Sequence, residues 1–174
     1  MMRLCKFFSL FFLVGLFCGT ALAAPVKAVL KVTDIQAKKT ITPNGDDVYF
    51  NITEYSSLGS TNEKRVPVYP AHWLSKQLTN VKDLTLWEGK LQEGESIKLV
   101  VVLSEQDLRP WGTDHLIGAI TLTLKNQKGT LHSHWDIPVF EEKDEVEMVK
   151  NGTIKRYVFK GERFRYNVGF EVIH

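Results

Sequence analysis

Apolar and polar residues alternate with a period of two along most of this chain, the signature of β-strands with one face buried. The clearest case is the last stretch, 162–173, where Phe164, Tyr166, Val168, Phe170 and Val172 interleave with Arg163, Arg165, Asn167 and Glu171. The first stretch, 26–35, alternates too and predicts Val29, Lys31, Thr33 and Ile35 on one face. Residues 96–103, Ser-Ile-Lys-Leu-Val-Val-Val-Leu, are almost all apolar, as in a central strand covered on both sides. Shorter runs at 48–53, 84–87, 116–125, 130–137 and 153–160 have the same β-branched and aromatic character. Turn dipeptides separate them: Asn44-Gly45, Glu93-Gly94, Lys128-Gly129, Asn151-Gly152 and Lys160-Gly161. The pattern predicts an all-β fold, an antiparallel eight-stranded β-sandwich. Only 71–78 has a helical look, and the acidic run 141–145 reads as a solvated loop or a single helical turn.

The N-terminus breaks the pattern. Arg3 and Lys6 precede an apolar run from Phe7 to Phe17, and Ala21-Leu-Ala23 follows. A basic start, an apolar middle and an Ala-x-Ala end are the three parts of a secretory signal peptide. Residues 1–23 are expected to be removed, leaving 24–174 as one domain with no further segment of spanning length. That destination is secreted or periplasmic. Both cysteines, Cys5 and Cys18, fall inside the leader, so the remaining chain must be held by its core without a disulfide.

Charge narrows the partners. The chain has 22 Lys and Arg against 20 Asp and Glu, and the excess is Arg3 and Lys6 of the leader. A neutral mature chain argues against bulk capture of nucleic acid, so charged contacts must come from local patches. A monomer is expected.

Two carboxylate-bearing turns are the strongest chemical signal. One is Ile41-Thr-Pro-Asn-Gly-Asp46-Asp47, and the other holds Glu105, Asp107 and Asp114. Calcium takes six to eight hard oxygen ligands from closely placed loops, which such residues can supply. The plain alternative is turn chemistry, since Asn and Asp bond their own backbone in turns.

These residues carry a family resemblance. Asp47-Val-Tyr-Phe-Asn-Ile52 resembles the segment after the first loop of C2 domains, the calcium- and phospholipid-binding sandwiches. Glu105-Gln-Asp107, followed by Asp114-His-Leu-Ile-Gly118, resembles their third loop, and the resemblance covers most of 26–137, with Trp135 included. The resemblance implies binding of a phospholipid membrane surface, with calcium held by Asp46, Asp47, Glu105, Asp107 and Asp114. The chain departs from the family at His115, where an acid is usual, and at the longer Glu105. It also carries an apparent insertion, Pro110-Trp-Gly112, and Asp34 is the nearest counterpart of the missing first-loop acid.

Other features bear on the same question. Trp111, beside Pro110, suits a membrane interface or packs back over its own loop. Lys155, Arg156, Lys160, Arg163 and Arg165 form a basic hairpin able to bind phosphorylated headgroups, or a solvated strand face paired with acids of 141–147. His132 and His134 share a strand face and would need a third ligand to hold a metal. No Gly-x-Ser-x-Gly, His-Glu-x-x-His or phosphate-binding glycine loop is present, and a non-catalytic binding module is expected. The competing expectation is a protein partner or a carbohydrate, met by exposed aromatics such as Trp73, Trp87 and Trp135. A secreted bacterial factor acting on a host fits either expectation.

Overall fold

The computed structural model describes residues 24–107, 112–138 and 145–174. Within them the chain forms eleven strands: β1 (Val26–Lys39), β2 (Asp47–Ser56), β3 (Thr61–Val66), β4 (Trp73–Leu74), β5 (Lys82–Leu91), β6 (Ser96–Glu105), β7 (His115–Gln127), β8 (Thr130–Asp136), β9 (Glu145–Asn151), β10 (Ile154–Lys160) and β11 (Arg165–Ile173). They build two antiparallel sheets. One has the order β5-β1-β11-β10-β9, and the other runs β3-β2-β6-β7-β8 with β4 beside β2.

The all-β expectation holds, but eight strands is a correction to make. The runs missed include β3, Thr-Asn-Glu-Lys-Arg-Val, whose first four residues are exposed. A polar edge strand buries neither face and so has no apolar alternation to read. The expected helix at 71–78 is instead the short β4 followed by a 3-10 helix, Ser75–Asn80. Among the described residues no helix is long and apolar enough to cross a membrane.

A bulge in β1 overturns the expected face of that strand. Register with β11 shifts between Val32 and Asp34. Ala28, Leu30 and Val32 point inward before it, and Ile35 joins them after it, while Val29, Lys31 and Thr33 stay outside. In β6, Ile97, Leu99, Val101 and Leu103 are buried, but Val100 and Val102 are only half-covered, so one face and not both is closed.

The core lies between the sheets. Phe50 of β2 meets Phe170 of β11 edge-on at 6.3 Å between ring centroids, and Trp135 of β8 tilts against Tyr157 of β10 at 6.2 Å. Each buried Leu or Phe of this kind contributes about 1.5–3 kcal/mol. Gly118 of β7 faces Phe159 of β10, whose ring would stand 2.2 Å from an added Cβ. The glycine is therefore what lets the sheets close at this point. Trp73, Trp87 and Trp135 pack in or against this core, and Trp87 is 6 % exposed. The Trp87 indole N–H donates to Glu54 Oε2 at 2.8 Å across the sandwich. Trp73 packs against Phe50 and Trp135 against Tyr157 and Phe170, so the three do not form an exposed aromatic face.

Candidate functional site

The antiparallel order brings one set of strand ends together: the end of β1, the start of β2, the end of β6, the start of β7 and the start of β11. Here the β1–β2 loop is tied down by Asp46. Its carboxylate accepts the Ile41 N–H at 2.9 Å and the Thr42 N–H at 2.8 Å. It also accepts the Thr42 hydroxyl at 3.2 Å and the Tyr166 hydroxyl. The Asp46 N–H donates to Ser75 Oγ at 2.9 Å, and Gly45, at φ +101°, supplies the left-handed turn before it. Asp46 is fully buried and closes a loop by Asx-type bonding.

The loop after β6 is anchored in the same way. Gln106 N–H donates to Asp47 O at 2.7 Å, and Asp107 N–H to Asp114 Oδ1 at 3.2 Å. Asp114 Oδ2 accepts the Tyr49 hydroxyl at 2.6 Å. Arg65 caps that tyrosine, its guanidinium 3.7 Å from the ring centre, and donates to Gln106 Oε1 at 2.5 Å. Burial, and then the Asp114 carboxylate, push the Tyr49 phenol above its usual range.

Between these two anchored loops lies a cleft of about 300 Å³, lined by Thr42, Gly45, Asp47, Glu105, Gln106, Asp107 and Gly112. Glu105 is 2 % exposed, and its Oε2 is buried with no hydrogen-bond partner. His115 Nδ1 stands 3.6 Å from that oxygen and 3.1 Å from Asp107 Oδ2. The donor atoms of Glu105, Asp107 and His115 all lie within 4.8 Å of one another, and the three together could hold a metal ion. Gly112 runs close over Asp107, since an added Cβ would lie 2.7 Å from its carboxylate.

Electrostatics concentrate on Glu105. Burial first, then the carboxylates of Asp46 and Asp107, a hydrogen bond with Asp46, and Asp47, raise it to about 7. Burial and the Asp46 bond drive the Tyr166 phenol far upward as well.

Of the five expected calcium ligands, the structure gathers Asp47, Glu105 and Asp107 on the cleft. Asp47 is 3.4 Å from His72 Nε2. Asp46 and Asp114 stand behind it, with oxygens already engaged by the protein. Trp111 lies outside the described residues, as do 141–144 of the acidic run.

The basic hairpin divides. Lys160 is paired in register with Arg165, and Arg165 with Lys39, at the cleft end. Arg163 sits exposed in the turn ahead of β11, and Lys39 Nζ donates to Glu162 O at 2.6 Å. Lys155 and Arg156 lie farther along, opposite Phe170 and Gly169. Arg156 is bound to Asp34 at 2.6 Å, which also removes Asp34 from the acidic loops. His132 and His134 lie exposed on β8, and no third ligand joins them among the described residues.

His115 is the residue that sequence reasoning passed over, as a mere departure from an acid. Its signal was the hairpin: Glu105 closes β6, His115 opens β7, and such residues face each other across the ladder. No protein-family model matches the chain, and no curated protein matches it.

Proposed function

We propose that this protein is a non-catalytic, C2-like binding module whose cleft end meets a phospholipid membrane surface through a bound divalent cation. The observation that carries the reading is the buried Oε2 of Glu105, without a hydrogen-bond partner and 3.6 Å from His115 Nδ1, beside Asp107. A buried carboxylate oxygen without a partner costs free energy that a cation in the cleft would recover. A cation held by these residues would offer remaining coordination to a headgroup phosphate oxygen. Lys160, Arg163 and Arg165 stand at the same end and add charge suited to phosphate. The resemblance to C2 domains implies calcium, which would draw on the carboxylates of Asp47, Glu105 and Asp107. The leader-like sequence of residues 1–23 supports an encounter in the periplasm or outside the cell.

Vesicle sedimentation tests the proposal. Vesicles of phosphatidylcholine, with and without phosphatidylserine, are incubated with the protein in divalent cation or in chelator. Cation-dependent depletion of protein onto the anionic vesicles, weakened in Asp107→Asn and in Arg163→Glu, is expected. Equal recovery in solution under every condition rejects the membrane reading.

A further inference from the structure

The donor set at the cleft contains a nitrogen, and that separates one class of ion from another. Calcium binds oxygen and takes six to eight such ligands. Around this cleft the supply of free oxygens is short. Asp46 spends its carboxylate on two backbone N–H groups and two hydroxyls, and Asp114 on Tyr49 and the Asp107 N–H. Asp47 also lines the cleft, with Oδ2 3.4 Å from His72 Nε2, and the set that converges is two carboxylates and one imidazole nitrogen, from Glu105, Asp107 and His115. Zinc accepts mixed nitrogen and oxygen ligands in fours, commonly three from the protein with one position open.

Distance alone does not choose between the ions. The 3.1 Å and 3.6 Å separations from His115 Nδ1 suit neighbouring ligands on a shell of either radius. Chemistry and ligand number do choose. Three side chains complete all but one place of a tetrahedral shell, whereas they fill only half or less of a calcium shell. The imidazole of His115 acts in the same direction, because it is a good zinc ligand and a poor calcium one. The buried Oε2 of Glu105 fixes the floor of the site, and Gly112 leaves room for Asp107 under the loop backbone.

We infer that the cleft is a zinc-class site, with Glu105, Asp107 and His115 as its protein ligands and the fourth position open to the cleft. This rests on the reading of the cleft as a cation site, and it replaces the calcium that the family resemblance implies. A phosphate oxygen is the kind of group the open position would take.

The test is titration of chelator-stripped protein with zinc, cobalt and calcium chlorides, followed by calorimetry and by the visible spectrum of the cobalt form. Zinc binding at one equivalent is expected, with cobalt giving the intense bands of a four-coordinate ion. His115→Ala should weaken zinc by more than about 100-fold, beyond the loss that an outer-shell partner causes. His115→Asp, which restores an all-oxygen set, should move preference toward calcium. His132→Ala with His134→Ala controls for capture by the surface pair, and circular dichroism confirms that each variant is folded. Calcium bound more tightly than zinc, with no effect of His115→Ala, overturns the inference and leaves the cation-dependent module standing. Zinc binding lost only in the His132 and His134 variant also overturns it. Binding of no ion at all removes both readings.

Discussion

The two ends of the sandwich close over buried polar side chains in different ways. At the end away from the cleft, Glu95 accepts the Ser56 hydroxyl at 3.1 Å on one oxygen and the Gln92 N–H at 2.8 Å on the other. Beside it the buried Asn126 donates to Leu91 O at 3.0 Å and accepts the Gly129 N–H at 3.1 Å. Both side chains are matched by the turns they hold. At the cleft end Asp46 is matched as fully, but Glu105, with three carboxylates around it, keeps a buried oxygen without a hydrogen-bond partner, 3.6 Å from His115 Nδ1. Buried polar groups in folded proteins are nearly always paired. Of the four buried side-chain atoms without a partner among the described residues, Arg65 Nε, Tyr157 Oη, Asn167 Oδ1 and Glu105 Oε2, the last belongs to a residue that lines the cleft.

Substitutions sharpen the contrast, beginning with the most disruptive. Asp46→Ala should cost about 4 kcal/mol, because it strips charge-assisted bonds from two backbone amides and leaves the Tyr166 hydroxyl without its acceptor. A fall in the urea midpoint at constant slope would register it. Glu95→Ala should cost about 1–3 kcal/mol and leave cation binding intact, since its bonds serve turns at the opposite end. Isothermal titration of that variant separates the two ends directly.

Glu105 predicts a pH effect of defined sign. Its carboxyl is raised from 4.5 to about 7 in the folded protein, so the folded state holds the proton more tightly than the unfolded state. This contribution is fully present below the unfolded value and is lost as pH rises through about 7. Stability of the ion-free protein should therefore fall between pH 5 and pH 8, and Glu105→Gln should flatten that slope in urea titrations. Cation affinity should run the other way and rise across the same window, because the ion must displace the proton. The smallest effect is expected at Arg156→Ala, which breaks a part-exposed pair with Asp34 worth about 0–1 kcal/mol and sits away from the cleft. Vesicle binding by this variant should match the parent protein, in contrast to Arg163→Glu.

The alternation along β11 foretold its inward Tyr166, Val168 and Phe170, because a strand buried on one face records that face in its sequence. β1 escaped the same reading at Thr33, where a bulge changes phase without any apolar signal. The acidic turns were legible as a place but not as roles. Asp46 and Asp47 are neighbours of one type, yet the first is fixed by Ser75, 29 residues on, and Tyr166, 120 residues on. Only the folded chain brings those partners to it, so its structural duty could not be read locally. His115 gains its place from register across the β6–β7 ladder, and Lys155 and Arg156 lose theirs by the same geometry.

Thermal unfolding of the parent protein and of Glu105→Gln, each in zinc chloride and in chelator, tests most directly whether the spare oxygen of Glu105 is a ligand. The parent should gain about 5–10 °C at an ion concentration of roughly one hundred times the Kd, while the variant barely moves. Equal shifts in the two proteins, or none in either, would contradict the account and return Glu105 to the role of a strained but purely internal carboxyl.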